Sequence, residues 1–232
     1  MSRSAGAPAG MSDRAAAEAE RIVLVHGIFR TARDMRFLET FLRARGYATL
    51  APTLPTEFCS LDECCERLRA AVAGWNPGNA RVHFIGHSMG GLIVRCLVSG
   101  GGPLQVGRCI LIAAPNAGSG LADLACSLLG PFAGIFRGLQ SLRRKDVRAN
   151  AALNQGGGRY GVIAGTSGRM LTGLLLPGIS DGRVELESAA AVAAQDFLVI
   201  PCRHTGIHHR RETAEAVLRY IRTGSFGSAR GL

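Results

Sequence analysis

The 232-residue chain has no apolar run approaching the roughly 18 residues that a membrane-spanning helix needs. The stretch from Met1 to about Ala19, rich in Ala, Gly and Ser, lacks the apolar segment of a secretory signal. Glu18 and Glu20 are foreign to an organelle transit peptide, which avoids acids. Residues 1–20 are therefore expected to be a flexible leader, and the protein to be cytoplasmic. An even cysteine count is also missing: the seven are Cys59, Cys64, Cys65, Cys96, Cys109, Cys126 and Cys202. That number suits free thiols in a reducing compartment. Cys59, Cys64 and Cys65 cluster, but no second half of a zinc site follows at usable spacing, so no metal is expected there. Lysine is nearly absent, Lys145 being the sole one in a chain of net charge +10. No basic stretch is interleaved with aromatics, which argues against a nucleic-acid partner. The positive charge still favours anionic substrates or a peripheral contact with an anionic membrane.

What is present is an alternation of strand and helix signals. Arg21–His26, Tyr47–Leu54 (interrupted by Pro52), Val82–Ile85, Val106–Ala114, Arg159–Ala164 and Phe197–Pro201 read as strands. Thr31–Arg45 carries Met35, Leu38, Phe41 and Leu42 at helical spacing, with Gly46 as a stop. Ser60–Trp75 opens on a capping serine, Leu92–Val98 starts a further helix, and Thr213–Arg222 closes the chain with an amphipathic one. Such alternation predicts a mostly parallel sheet with helices on both faces. The expected domain spans residues 21–226, with a short tail at 227–232. Residues 116–158 break the rhythm, being too long for a simple crossover. Their Leu, Phe and Ile clusters predict a helical insertion over the sheet, a lid or acyl-binding cap, against the plainer reading of two packed helices.

The chemistry centres on Gly86-His87-Ser88-Met89-Gly90. A serine on a sharp strand-to-helix turn adopts strained backbone angles, and only small residues two positions away let that turn close. The hydroxyl is then lifted above the sheet, beside a helix N-terminus that favours developing negative charge. Ser88 is thus the candidate nucleophile, and it needs a base. His204 follows an apolar strand and sits where open parallel sheets bind ligands. His208 and His209, at the start of the last helix, are expected to face solvent. The acid candidates are Asp123, Asp146, Asp181, Glu185, Glu187 and Asp196. Asp181 is favoured because its Ser-Asp-Gly turn follows a strand, with Glu185 next. For the oxyanion, the backbone amides of Met89 and Ile28 are the expected donors, with Phe29 as the fallback. His26 precedes Ser88 and is assigned a structural part, its ring bonded to neighbouring loops.

Val23-Leu-Val-His-Gly-Ile28, Gly86-His-Ser-Met-Gly-Gly91, Ala114-Pro-Asn-Ala-Gly-Ser119, Ser180-Asp-Gly-Arg-Val184 and His204-Thr-Gly206 together resemble the α/β-hydrolase superfamily. Within it the chain is most similar to small bacterial lipase-like serine esterases, over roughly Arg21 to Phe226. The resemblance implies a Ser88–Asp181–His204 triad, an oxyanion hole at Ile28 and Met89, a small-molecule or lipid ester as substrate, and no cofactor. The secreted lipases of that branch carry export signals, so an intracellular esterase or thioesterase is the nearer expectation. Thioesters, amides or an acyl acceptor other than water would use the same residues. A non-catalytic adaptor using Arg137, Arg143, Arg144, Lys145 and Arg148 at a membrane surface is the reading from outside enzymology.

Overall fold

The computed structural model describes residues 20–78, 80–154, 160–168, 176 and 178–227. The expected leader and tail fall outside them except for residues 20 and 227, as do residues 155–158 of the expected insertion. Six strands form one sheet: β1 (Arg21–Val25), β2 (Ala48–Leu50), β3 (Val82–His87), β4 (Val106–Ile112), β5 (Tyr160–Gly165) and β6 (Ala194–Ile200). Their order is β2-β1-β3-β4-β5-β6, and every pairing is parallel. Between them run α1 (Arg36–Arg43), α2 (Leu61–Trp75), α3 (Met89–Ser99), α4 (Gly120–Leu129), α5 (Arg137–Gln140), α6 (Arg144–Ala149), α7 (Ala151–Asn154), α8 (Leu186–Ala190) and α9 (Arg211–Thr223).

The strands are apolar on both faces, and their alternation divides the core in two. Val23, Val25, Phe84 and Leu111 point to one side, where they meet Leu61, Leu68 and Val72 of α2 and Leu92 of α3. Ile22, Leu24, Ile85 and Ile112 point to the other, against Leu38 and Leu42 of α1 and Val217 and Tyr220 of α9. Each such side chain, fully buried, contributes about 1.5–3 kcal/mol. Helix α2 starts as its first residues dictate. Ser60 Oγ accepts from the Glu63 amide at 3.3 Å, and Glu63 Oε2 accepts from the Ser60 amide at 2.8 Å. That reciprocal cap is worth about 1 kcal/mol.

Several boundaries differ from the sequence expectation. The second strand is three residues long instead of eight. It sits at the sheet edge, Pro52 cannot donate to a ladder, and the Leu54 amide instead donates to His26 Nε2 at 2.9 Å. Helix α3 begins at Met89, three residues earlier than its apolar run suggests, because Ser88 itself is the residue that turns into it. The last strand begins at Ala194, so Asp196 lies inside it. Within the expected helical insertion, residues 130–140 form a 3-10 turn (Gly130–Ile135) and the short α5, parted at Phe136. Helices α6, α7 and α8 had no clear sequence signal.

Candidate active site

Parallel strands deliver their following loops to one edge, and the residues singled out in the sequence meet there. Ser88 follows β3 directly, with φ 54° and ψ −126°. A residue other than glycine is rarely held there, and the cost is about 1–3 kcal/mol. The strain is fixed by close packing around the turn. A Cβ on Gly86 would strike the backbone of Gly90 and Gly91, and one on Gly90 would strike the carbonyl of Val25. The Ser88 amide donates to the Ile112 carbonyl at 2.9 Å, which ties the turn to β4.

His204 Nε2 lies 3.0 Å from Ser88 Oγ, and His204 Nδ1 lies 2.8 Å from Asp181 Oδ2. All three are buried: Ser88 is 7% exposed, Asp181 1% and His204 3%. The other Asp181 oxygen, Oδ1, accepts from the amides of Arg183 (3.0 Å) and Val184 (2.8 Å). These bonds arise because Ser180–Glu185 folds back on itself, with the Asp181 amide donating to the Val184 carbonyl at 3.1 Å. The Asp181 carbonyl in turn accepts from the His204 amide at 3.0 Å. Asp181 and His204 are thus joined through backbone as well as side chain.

Four of the competing acids are engaged elsewhere. Glu185 Oε1 accepts from Arg144 Nη2 at 2.6 Å, and Asp123 Oδ1 accepts from the Arg144 amide at 3.2 Å. Asp146 faces Arg143 at 3.6 Å, and Asp196 Oδ2 accepts from Ser225 Oγ and the Phe226 amide, both at 2.7 Å. His26 is held as expected of a structural residue, its Nδ1 donating to the Gly27 carbonyl at 2.8 Å while Nε2 accepts from Leu54. Burial outweighs that bond and holds its pKa below the ordinary value.

The loop after β1 approaches the serine closely. A Cβ on Gly27 would lie 3.0 Å from Ser88 Cβ. The following Phe29 has φ 56°, a second left-handed residue at the same edge. Among the described residues, no turn or loop hydrogen bond occupies the amide of Ile28, Phe29 or Met89. Met89 opens α3, where the first amides have no partner within the helix. A cavity of about 200 Å³ opens beside Ser88 and His204. Its walls are mostly apolar and include Leu121, Ala125, Leu139 and Leu142 from the segment between β4 and β5, with Ile28 and Val184 opposite.

Three features were not anticipated. Arg95, on the middle of α3, is 7% exposed and has no carboxylate partner among its hydrogen bonds. Its guanidinium donates to the Asn116 carbonyl (3.0 Å), to Asn116 Oδ1 (3.1 Å) and to the Leu153 carbonyl (2.8 Å). Asn116 Nδ2 continues the brace to the Ala189 carbonyl at 2.7 Å. Second, His87 is buried beneath His204, and its Nε2 donates to the His204 carbonyl at 3.0 Å. Third, His208 does not face solvent as expected. It is 1% exposed, stacked on His87 with ring centroids 3.8 Å apart. The 3-10 turn Ile207–His209 rotates it inward, whereas His209 stays partly exposed. The signal available in sequence was the histidine beside the serine and the His-His pair four residues past His204.

The profile of the Alpha/beta hydrolase family matches residues 22–219. No curated protein sequence matches the chain. Among solved structures, the chain is similar to the mature form of Bacillus licheniformis lipase BlEst2, at 19% identity and a TM-score of 0.65, over 87% of this chain and 90% of that one. It covers 53% of the propeptide form of that lipase. A metagenomic carboxyl esterase is similar at 19% identity and a TM-score of 0.67, over 89% of this chain and 76% of that one. The phospholipase PlaB of Legionella pneumophila is similar at 19% identity and a TM-score of 0.63, over 89% of this chain and 60% of that one. At such identities the likeness is one of fold.

Proposed function

Because the chain belongs to the alpha/beta hydrolase family, we propose that it is a serine hydrolase that cleaves carboxylic esters through an acyl-enzyme. The observation that carries this reading is the unbroken relay from Ser88 Oγ through His204 to Asp181, at 3.0 and 2.8 Å, beside an apolar cavity. Ser88 Oγ attacks the ester carbonyl carbon while His204 Nε2 takes its proton. The carbonyl electrons move onto oxygen, which the amides of Ile28 and Met89 receive. The tetrahedral centre collapses, the alkoxide leaves with the proton from His204, and Ser88 holds the acyl group. Water, deprotonated by His204, then repeats the sequence and frees the acid. Asp181 keeps the proton on Nδ1 and stabilises the imidazolium.

The substrate class rests on the cavity. Its volume of about 200 Å³ is below the ~300–1,000 Å³ of sites for drug-sized ligands, which favours a short acyl chain. Its walls are mostly leucine, isoleucine, valine, alanine and phenylalanine, with Arg183 the one charged side chain besides His204. The fold neighbours named a lipase, a carboxyl esterase and a phospholipase support an ester substrate in the same sense. Near the cavity, α4 and the turn after it expose Leu128, Phe132 and Ile135, at 80%, 68% and 56%. With the chain's net charge of +10, they support peripheral contact with an anionic lipid surface. Among the described residues no helix is long and apolar enough to cross a membrane.

The test is turnover of a p-nitrophenyl ester series from acetate to palmitate, beside matched thioesters and Ser88→Ala. Hydrolysis that peaks at short esters and vanishes in Ser88→Ala is expected. Equal turnover by the parent and Ser88→Ala would end the proposal.

A further inference from the structure

The cavity beside Ser88 is apolar over most of its wall, with one point of permanent charge. Among the described residues that line it, none is Asp or Glu, and the only arginine is Arg183. Arg183 sits two positions past Asp181, inside the turn Ser180–Glu185, between the buried Gly182 and Val184. Its amide donates to Asp181 Oδ1 at 3.0 Å, and its carbonyl accepts from Ser119 Oγ at 3.2 Å. Its backbone is therefore fixed on one side to the carboxylate that holds His204 and on the other to the start of α4. The side chain leaves the main chain from a point set by the relay itself.

This guanidinium has no anion of the protein beside it. Three arginines of the segment between β4 and β5 are different: Arg137 faces Glu63 at 2.8 Å, Arg143 faces Asp146 at 3.6 Å and Arg144 faces Glu185 at 2.6 Å. The two acids nearest to Arg183 in the chain are already engaged, Asp181 by His204 and two backbone amides, Glu185 by Arg144. Among the described residues, the Arg183 side chain makes no hydrogen bond or ion pair, although the residue is partly buried. An arginine brings five N–H donors in a flat fork, which fits the two oxygens of a carboxylate or a phosphate. A substrate that fills the cavity takes water away from this cation. It loses affinity unless it brings acceptors of its own.

We propose that Arg183 selects esters that carry an anionic oxygen group, a carboxylate or a phosphate, close to the scissile carbonyl. The inference rests on the reading of Ser88 as the nucleophile of an esterase, and it narrows the substrate class. Ser88 and Arg183 line the same cavity, so one small ligand spans both. The volume of about 200 Å³ restricts the spacer between ester and anion to a few atoms, which lie against Leu121, Ala125 and Val184. The chain's net charge of +10 draws such anions from solution. Arg183 meets the part of the substrate that does not react and takes no part in proton transfer.

The experiment compares two matched pairs of esters: monomethyl glutarate with methyl pentanoate, and butanoylglycerol phosphate with monobutanoylglycerol. The first pair places a carboxylate on the acyl side, the second a phosphate on the alcohol side. Acid release by the parent, Arg183→Gln and Arg183→Lys gives kcat and KM for each ester. Ser88→Ala, alone and combined with Arg183→Gln, is titrated calorimetrically with the same four esters. The parent is expected to favour the anionic member of at least one pair by about tenfold in kcat/KM, chiefly through KM. Arg183→Gln should lose that preference and Arg183→Lys keep part of it. The pair that shows the preference identifies the anion. An arginine that merely supported the fold would change both members of a pair alike and leave their ratio unmoved. Equal kcat/KM for neutral and anionic esters, or a preference that survives Arg183→Gln, overturns the anion site and leaves ester hydrolysis standing. Selective binding of an anionic ester to Ser88→Ala, lost with Arg183→Gln, while the parent turns over no ester, would do the reverse. Neither turnover nor selective binding overturns both. Should Arg183→Gln fail to fold, Arg183→Lys decides by whether its anion preference falls below that of the parent.

Discussion

Asp181→Asn isolates the tautomer of His204 from everything else in the relay. Asp181 Oδ1 accepts from two backbone amides, Arg183 at 3.0 Å and Val184 at 2.8 Å. An asparagine must leave its carbonyl oxygen there, because its NH₂ cannot accept. The NH₂ is thereby turned toward His204 Nδ1, where a carboxylate oxygen now stands at 2.8 Å. A donor facing Nδ1–H is unfavourable, so the imidazole moves its proton to Nε2. Nε2–H then faces Ser88 Oγ and cannot take its proton. Both backbone bonds at position 181 survive, and the volume is unchanged, so the melting temperature is expected to move little. The expected loss in kcat is about 10⁴-fold, or ~5.4 kcal/mol at ~1.36 kcal/mol per decade. The assay is kcat on a short p-nitrophenyl ester with a melting curve recorded on the same preparation. A kcat within tenfold of the parent, with an unchanged melt, would refute the tautomer argument and reopen the identity of the acid.

Enlarging a cavity wall, Ala125→Leu, is expected to move the preferred acyl chain to a shorter one without lowering kcat on the acetate ester; an unaltered chain-length profile would show that the acyl group lies elsewhere. Arg95→Leu strips three carbonyl-type acceptors of a buried partner and should lower stability by about 2–4 kcal/mol, read as a shift in urea midpoint. Serine substitutions at Leu128, Phe132 and Ile135 should weaken sedimentation with anionic vesicles, while high salt weakens it in the parent; binding indifferent to both would remove the membrane contact. Burial lowers the pKa of His26, His83, His87 and His208 from the ordinary 6.5. With folded values depressed, their neutral forms contribute stability above about pH 6.5, and that contribution is lost as pH falls through the folded values. The melting temperature should therefore drop between pH 7 and pH 5, and His208→Gln should flatten that slope.

The parts of the fold legible in sequence were those governed by local rules. Short apolar runs such as Val82–Ile85, too short for a helix and followed by glycine, read as buried strands, and Gly86 and Gly90 around Ser88 mark a turn that larger residues would jam. His204 and Asp181 followed from chain order and from the edge at which parallel strands end. What stayed illegible depends on contacts distant in sequence. The second strand looked long because its residues are apolar, but edge position and His26 shorten it. Arg95 carried no signal in the sequence, because its partners are 21 and 58 residues away. His208 looked exposed because it opens a polar segment, and only the packing of His87 and Asp34 against it shows otherwise.

That last misreading has a physical consequence for the candidate site. His204 is held on every side by groups that also hold each other: its amide by Asp181, its carbonyl by His87, its Nδ1 by the Asp181 carboxylate. Of these, only the Asp181 contacts depend on the turn around Ser180–Glu185. The His87 contact depends on a ring wedged between His204 and His208, and His208 depends on Asp34 across the sheet edge. The placement of His204, the proposed base, is therefore shared between the loop after β5 and the loop after β1, which also carries Ile28. Loosening Asp34 should then blunt catalysis by disordering both the base and an oxyanion donor. Asp34→Asn is expected to lower kcat on a short ester while KM changes little, and Asp34→Glu to restore part of it. An Asp34→Asn enzyme with parental kcat would show that the relay stands without the histidine stack behind it.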